Sequence, residues 1–262
     1  MAKEAQLLHC QSYGEGRRTA VLLHGLLGLS TNFGSIAREL ARTLHVLTPD
    51  LRNHGRSFHA PGMRYTELAA DVLRLLDSYG IEQAALLGHS MGGKVAMQLA
   101  LDHPQRITRL LVADIAPLRY GADHISLFNI LREVAACVHA DRRSAKRLLE
   151  SRIDSPGVVA LMLMNRFQDE DGLWRWRFDL DAIEAGYDDI LAAPQSLTPY
   201  GGPVLFLKGE LSDYITAAAR EATARLFPQA RLKVIAGAGH WLHVEKPVAF
   251  LRLARDFLDV ES

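Results

Sequence analysis

The sequence has few cysteines and no long apolar run, and each shortage excludes a class of protein. Its 262 residues include two cysteines, Cys10 and Cys137, and neither lies in a CxxC pair. They form no disulfide framework, so we expect a reducing, cytoplasmic location. No apolar run approaches the roughly 18 residues that cross a bilayer, and the opening residues MAKEAQLLHC lack the apolar stretch of a signal peptide. We therefore expect no membrane span.

The sequence also lacks net charge and the usual cofactor motifs. Lys and Arg total 30 and Asp and Glu total 30, so no net positive field recruits nucleic acid. There is no HExxH, no P-loop and no GxGxxG, and the 11 histidines form no cluster with acids or cysteines. We therefore expect neither a metal nor another cofactor. A hydrophobic fraction of 48% is that of an ordinary folded protein.

Six short apolar runs, rich in Val, Leu and Ala, end at turn or polar residues. Continuous apolar character is typical of strands buried on both faces of a parallel sheet. Segments with helical spacing separate the runs, which predicts an α/β fold with a mostly parallel central sheet flanked by helices. The predicted strands are Thr19–Gly25, His45–Asp50, Ala84–Ser90, Arg109–Ile115, Pro203–Gly209 and Arg231–Ala236, and the clearest predicted helices are Phe33–Leu44, Thr66–Tyr79, Met91–His103, Ala217–Phe227 and Pro247–Val260.

The stretch from Pro117 to Pro203 interrupts this alternation. It is helical or irregular in character and contains no strong buried strand. An insertion of this size between two core strands predicts a lid or cap, with residues 1–116 and 201–262 forming the core and residues 117–200 the cap. The helices predicted within it are Ser126–His139, Arg142–Ile153 and Asp181–Ala192.

The strongest chemical motif is the run from Gly88 to Gly93, GHSMGG. It follows an apolar strand and opens a helical segment, which is the context of the G-x-S-x-G nucleophile elbow. In such an elbow a sharp turn projects the serine hydroxyl from the sheet edge, and glycines on both sides avoid clashes. The helix behind directs its positive N-terminal dipole at the site. Ser90 is therefore the candidate nucleophile.

A serine hydroxyl is a weak nucleophile and needs a base and an orienting acid. In elbow enzymes the chain order is serine, acid, histidine, so the base is expected after the last strand. His240, in the loop Gly237–His240, is the candidate base. His243 follows three residues later and is expected to be a packed or capping histidine.

Two aspartates compete for the role of the acid. The loop after the next-to-last strand commonly carries it, but there the usual position is Ser212 and Asp213 is displaced by one residue. Asp114 ends a strand that should neighbour the elbow strand, because one helix connects the two. Asp114 is the preferred candidate, and Asp213 stays the alternative.

The oxyanion hole needs two backbone N–H groups close to the nucleophile. His24 and Gly25 end the first strong strand, and the glycine lets the backbone approach a substrate. The N–H groups of Leu26 and Met91 are the predicted donors. His24 itself is expected to be a structural, hydrogen-bonding histidine, and the loop from Asp50 to Ser57 is given no catalytic role.

Taken together, these motifs resemble those of the α/β-hydrolase superfamily over essentially the full chain, and more closely those of the bacterial YbfF-type esterases. The resemblance implies a small helical cap inserted after the sixth strand and hydrolysis of acyl esters, including thioesters. It also implies that the acid is the aspartate of an Asp-Ile-Ala-Pro stretch, which is Asp114 here. The residues that carry it are His24-Gly25, Asp50 through Ser57, Gly88–Lys94, Ala113–Pro117, the insertion and Ala236–Trp241.

The sequence thus predicts a serine hydrolase that cleaves small-molecule carboxylic esters or thioesters through an acyl-enzyme intermediate. An alternative is a carbon–carbon bond hydrolase or lyase, because a fold does not determine its chemistry. A non-catalytic binding protein is a third possibility, against which the intact elbow, base and acid argue. The insertion is expected to set the acyl preference, with Leu127, Phe128, Leu161, Met162 and Trp174 as candidates of which most only pack the cap.

Overall fold

The central sheet of the protein has seven strands. The computed structural model describes residues 6–139 and 141–259. The strands are β1 (Cys10–Tyr13), β2 (Thr19–Leu23), β3 (His45–Pro49), β4 (Ala84–His89), β5 (Ile107–Ala113), β6 (Arg166–Gln168), β7 (Trp174–Trp176), β8 (Val204–Gly209) and β9 (Ala230–Ile235). Across the central sheet their order is β1-β3-β2-β4-β5-β8-β9; β1 is antiparallel to β3 and the other neighbouring pairs are parallel.

Helices cover both faces of this sheet, and a hydrophobic cluster fills each interface. The helices are α1 (Gly34–Leu40), α2 (Tyr65–Ser78), α3 (Met91–Asp102), α4 (Ile125–Ala136), α5 (Arg142–Glu150), α6 (Pro156–Met164), α7 (Leu180–Ala185), α8 (Tyr187–Leu191), α9 (Ala219–Leu226), α10 (Leu242–Glu245) and α11 (Pro247–Leu258). Val72 of α2 is buried in one cluster together with the apolar residues of α3, whereas Ile36 of α1 and Phe250 of α11 are buried in the other.

The predicted α/β architecture is confirmed, with all six predicted strands present in the sheet. Their bounds differ from the predicted ones by no more than a few residues at either end. Strand β1 was not predicted, because it is short, only half buried and antiparallel at the sheet edge. Such a strand leaves no continuous apolar run in the sequence.

The insertion contains α4 to α8 and the small hairpin β6–β7. The expectation that it follows the sixth strand is wrong, because five strands precede it within the described residues. Helix α6 and the hairpin were also not predicted: α6 is apolar all round, and three-residue strands leave almost no pattern. Within residues 6–139 and 141–259, no helix is both long and apolar enough to cross a membrane.

The sheet places the candidate site residues at the carboxyl ends of its parallel strands. β4 is the middle strand of the seven, and Ser90 directly follows its carboxyl end. Asp114 directly follows β5, which pairs with β4, and His240 lies in the loop after β9. Open α/β sheets bind their ligands at the carboxyl ends of their strands, so the fold directs all three residues to the edge where a substrate binds.

Candidate active site

Ser90 lies in a strained turn between β4 and α3. Its backbone has φ +53° and ψ −123°, a region that non-glycine residues adopt at an expense of about 1–3 kcal/mol. The neighbouring glycines are required by space: a Cβ on Gly88 would lie 2.2 Å from the Gly92 carbonyl oxygen, and one on Gly92 would lie 2.4 Å from the Leu23 carbonyl oxygen. The Ser90 N–H donates to the Ala113 carbonyl at 3.0 Å, which ties the elbow to β5.

Asp114 and His240 form a direct pair. Asp114 is fully buried, and its Oδ2 accepts a hydrogen bond from His240 Nδ1 at 2.8 Å. The Gly209 N–H donates to Oδ1 at 2.9 Å, and the Ser212 hydroxyl donates to Oδ2. Three donors therefore surround this buried carboxylate. They replace the hydrogen bonds that water would give it, and they fix its orientation. Asp114 also has a positive φ of +51°, so the backbone turns sharply at the end of β5.

The imidazole of His240 is held from three sides. Its ring stacks on Tyr214 with centroids 4.0 Å apart and an interplanar angle of 19°. The His89 ring packs against the imidazole with centroids 4.7 Å apart, and His89 Nε2 donates to the backbone carbonyl oxygen of His240 at 2.9 Å. Because Nδ1 donates to Asp114, the proton of the neutral imidazole is assigned to Nδ1, and Nε2 is free to accept a proton. Ser90 and His240 are both described, and no hydrogen bond joins the Ser90 hydroxyl to His240 in this structure.

Asp213, the alternative acid, and His243, the histidine that follows the candidate base, both lie apart from this pair. Asp213 is exposed and makes no hydrogen bond to His240, since Ser212 rather than Asp213 faces the buried carboxylate of Asp114. His243 is 5% exposed and packs against Phe33, with ring centroids 4.9 Å apart. Burial lowers the pKa of His243 to about 3, so this ring is neutral and belongs to the core.

The two predicted oxyanion donors line the same pocket as the nucleophile. Leu26 and Met91 both border the space in front of Ser90. A Cβ added to Gly25 would lie 3.2 Å from Ser90 Cβ, so the backbone that carries Leu26 passes directly against the elbow. Neither N–H donates to another atom of the described residues, which leaves both available to a ligand.

Two buried histidines, His24 and His54, make hydrogen bonds that hold the backbone next to Leu26. Leu27 has a positive φ of +57°, and its N–H donates to His54 Nε2 at 3.1 Å. His24 lies beside His54, with ring centroids 5.1 Å apart, and its Nε2 accepts from the Leu51 N–H at 3.0 Å. Burial lowers the pKa of both rings, that of His54 to about 3, so each stays neutral and keeps an acceptor nitrogen.

Sequence reasoning treated His24 as structural, which its hydrogen bonds confirm, but missed His54. The bond from Leu27 joins residues 27 positions apart, and no local pattern marks it. Ser212 and Tyr214 were likewise not identified as partners of Asp114 and His240. The available signal for Ser212 was its place at the usual acid position in its loop.

The pocket in front of Ser90 opens to solvent and has a cavity volume of about 40 Å³. Leu26, Met91, Lys94 and Tyr214 are among the lining residues outside the insertion. The lining residues that belong to the insertion are Tyr120, Gly121, Asp123, His124, Tyr187, Ile190 and Leu191. The predicted candidates Leu127, Phe128, Leu161, Met162 and Trp174 are not among them; Phe128, Leu161 and Met162 are buried in the core cluster instead. Within the described ranges, no group of three His, Cys, Asp or Glu side chains is arranged to hold a metal ion.

Comparison with known proteins places these features in context. A family model described as "alpha/beta hydrolase fold" matches residues 20–247. The sn-1-specific diacylglycerol lipase ABHD11 of Danio rerio is 38% identical over 253 residues, which cover 94% of this chain and 80% of the relative. Esterase YbfF of Escherichia coli K12 is 36% identical over 240 residues, covering 91% and 92%. A solved structure titled "Marine microorganism esterase" superposes with a TM-score of 0.93 at 36% identity, covering 97% and 100%.

Proposed function

The chain belongs to the alpha/beta hydrolase family and is an ester hydrolase, and from that premise we propose that Ser90, His240 and Asp114 form its catalytic triad. The observation that carries the proposal is the 2.8 Å hydrogen bond between His240 Nδ1 and the buried Asp114 carboxylate, beside the strained turn at Ser90. The named relatives are esterases and a lipase, which favours ester cleavage over the cleavage of carbon–carbon bonds.

In the first half of the reaction, Ser90 Oγ attacks the acyl carbonyl carbon while His240 Nε2 takes the hydroxyl proton. Asp114 keeps Nδ1 protonated and stabilises the imidazolium that forms. The negative charge that develops on the carbonyl oxygen is stabilised by the N–H groups of Leu26 and Met91, and one such donor is typically worth about 3–4 kcal/mol. The tetrahedral species then collapses, His240 returns the proton to the leaving alcohol or thiol, and the acyl group stays on Ser90.

In the second half, water attacks the acyl-enzyme and His240 accepts its proton. The second tetrahedral species releases the acid, and Ser90 regains its proton. Proton transfer needs Nε2 within about 3.2 Å of Oγ, and catalytic hydrogen bonds in ligand-free enzymes often tighten only in the substrate complex. We expect the contact between Ser90 and His240 to form when an ester fills the pocket.

A common acyl-enzyme predicts that the leaving group does not influence the fate of the acyl group. Nitrophenyl, phenyl and ethyl butyrate are incubated with the enzyme in water that contains a fixed concentration of methanol. Methyl butyrate and butyrate should form in the same ratio from all three esters, because the same intermediate partitions between methanol and water. A ratio that changes with the leaving group would exclude the shared intermediate.

We also propose that residues 117–200 act as a cap over a core of residues 1–116 and 201–262. Two hydrogen bonds from the core reach the end of α8, in the last part of this insertion. The Tyr65 hydroxyl donates to the Ile190 carbonyl, and Lys94 donates to the carbonyl of Leu191. The Asn165 side chain in turn donates to the Leu27 carbonyl at 2.8 Å, one residue after the proposed oxyanion donor Leu26. The cap thereby supplies one wall of the acyl pocket.

Ile190 tests this role of the cap, since it lines the pocket and is 7% exposed. Ile190→Ala should shift the profile of nitrophenyl esters from butyrate to laurate toward longer chains. Each accommodated methylene in an apolar pocket changes selectivity by about tenfold or more. Leu197→Ala is the matched control, because Leu197 is fully exposed in the same insertion. Identical profiles for both variants and the wild type would remove the cap from acyl selection.

A further inference from the structure

Lys94 is a buried cation beside the proposed nucleophile. It lies on α3, four residues after Ser90, and both residues line the same pocket. Its side chain belongs to the core, since the residue is 2% exposed. Lysine is almost never fully buried unless a counter-charge accompanies it. The proposed triad does not use this residue, so its position needs another account.

The contacts of Lys94 leave its charge uncompensated. Its Nζ donates to the carbonyl oxygens of Leu191 and Ala192, at 3.1 and 2.7 Å, where α8 ends. The faces of Tyr65 and Tyr120 lie on either side, with ring centroids 5.5 and 4.7 Å from Nζ. Within the part of the chain that the structure describes, no carboxylate pairs with it, and its third N–H has no acceptor.

The surroundings therefore offer partial negative charges but no full one. Two carbonyl dipoles and two aromatic faces attract an ammonium group, yet each is weaker than a carboxylate at hydrogen-bond distance. The remaining N–H belongs to a side chain that lines the pocket of the acyl group. An anionic substituent in that pocket would complete the set of partners.

We propose that Lys94 binds a carboxylate carried by the acyl group of the substrate, so that the enzyme acts on monoesters of dicarboxylic acids. This inference rests on the proposed function, because it takes the pocket in front of Ser90 to hold the acyl chain. The ester carbonyl lies at Ser90, and the carboxylate at the far end of a short acyl chain reaches Lys94. The ammonium group then selects substrates by charge, whereas the apolar lining selects them by length.

Other ionisable groups near the pocket do not replace Lys94 in this role. Arg119 is exposed and pairs with Asp188. His124 lines the pocket, but burial lowers its pKa, and its Nδ1 bonds to the Tyr187 hydroxyl at 2.8 Å. Asp123, the only carboxylate among the described lining residues, is exposed and carries negative charge. Lys94 is the lining residue placed to attract an anion.

The test compares two esters of matched length, monomethyl glutarate and methyl valerate, by titrating the acid released at constant pH. The measured quantity is the ratio of their kcat/KM values. Lys94→Gln removes the charge but keeps a donor for the Leu191 and Ala192 carbonyls. We expect this variant to lower the ratio by about tenfold to a hundredfold, the range for a lost charged hydrogen bond.

Gln98→Ala is the matched control. Gln98 lies one turn further along α3 and makes two hydrogen bonds to the backbone of Gln195, in the last part of the insertion. Its side chain is uncharged and does not line the pocket. Its loss should leave the ratio unchanged. If Lys94→Gln lowers kcat/KM for both esters by the same factor, Lys94 only anchors the insertion and the proposal is wrong. If the wild type fails to cleave even methyl valerate, the proposed function fails instead.

The wild-type enzyme gives an independent readout that survives any folding defect of the variant. Burial, with a smaller contribution from Arg119, lowers the pKa of Lys94 to about 7. Lys94 is therefore charged below that pH and neutral above it, so the ratio should be high at pH 6 and should fall as the pH rises toward 9. An ionisation that the chemical step itself requires affects both esters equally and cancels in the ratio, since kcat/KM reports the free enzyme.

The remaining groups around Lys94 do not produce this profile. Burial raises the pKa values of Tyr65 and Tyr120, so both phenols stay neutral across the range, and the carboxylate of the substrate stays ionised. A ratio that is flat from pH 6 to pH 9 would overturn the proposal, whether or not Lys94→Gln folds.

Discussion

Replacing Ser90 with alanine is expected to lower kcat for ester hydrolysis by about 10⁶-fold, the loss seen when a triad serine is removed from a serine hydrolase. The variant keeps the Cβ atom that defines the turn, so the backbone strain at φ +53° is unchanged. The Ser90 hydroxyl makes no hydrogen bond to other described residues, so its removal orphans no partner. The free energy of unfolding should therefore stay within about 0.5 kcal/mol of the wild-type value.

The measurement is kcat on nitrophenyl butyrate, with thermal unfolding followed in parallel. Ser151→Ala, an exposed serine in the insertion, is the control and should retain full activity. Substantial residual turnover in Ser90→Ala would show that another group attacks the ester. A large loss of stability would instead show that the hydroxyl supports the fold.

Replacing Asp114 with asparagine is expected to lower kcat/KM by about 10⁴-fold, the loss that this change produces in the well-studied Ser-His-Asp triad. Asp114 Oδ2 faces His240 Nδ1, and Oδ1 faces the Gly209 N–H at 2.9 Å. If the new amide N–H₂ takes the Oδ2 position, it forces Nδ1 of His240 to accept and moves the proton to Nε2. If the amide is turned over, its N–H₂ meets the Gly209 N–H, and two donors face each other without an acceptor.

Asp213→Asn is the matched comparison, since it makes the same chemical change one residue from Ser212. Asp213 is exposed and has no bond to His240, so we expect a change in kcat/KM of less than about threefold, that is, below 1 kcal/mol. Both variants are assayed on one activated ester, and circular dichroism excludes unfolding. The opposite order of losses would assign the acid to Asp213, and comparable moderate losses would mean that the two carboxylates share the role.

The parts of this protein that the sequence predicts well are those with local signals. Strand β4, Ser90 and α3 are contiguous, so apolar content, two glycines and helical spacing mark the elbow without knowledge of the rest of the chain. The pairing of β4 with β5 was also predictable, because a single helix joins them and sequential parallel strands tend to be neighbours. The chemical roles of Ser90, Asp114 and His240 stay predictions until they are tested.

The parts that sequence reasoning missed depend on distant contacts. His54 meets Leu27 across 27 residues, and Lys94 is buried only because Tyr65, Tyr120 and the end of α8 close over it. In the sequence, a lysine one turn after the nucleophile is indistinguishable from one on a solvated helix face. Most of the insertion candidates were expected only to pack the cap, and Phe128 does so inside the core cluster, but Ile190 and Leu191, which line the pocket, were not among the candidates.

The covalent adduct of an active-site phosphonate identifies the residue that attacks the ester, which we propose is Ser90. The enzyme is inactivated with a nitrophenyl alkylphosphonate and digested with trypsin, and the peptide Leu75–Lys94 is fragmented in the mass spectrometer. This peptide contains two serines, Ser78 and Ser90, and Ser78 serves as an internal control. We expect a single adduct on Ser90 that forms in step with the loss of activity. An adduct on any other residue, or complete inactivation with Ser90 unmodified, would contradict this assignment.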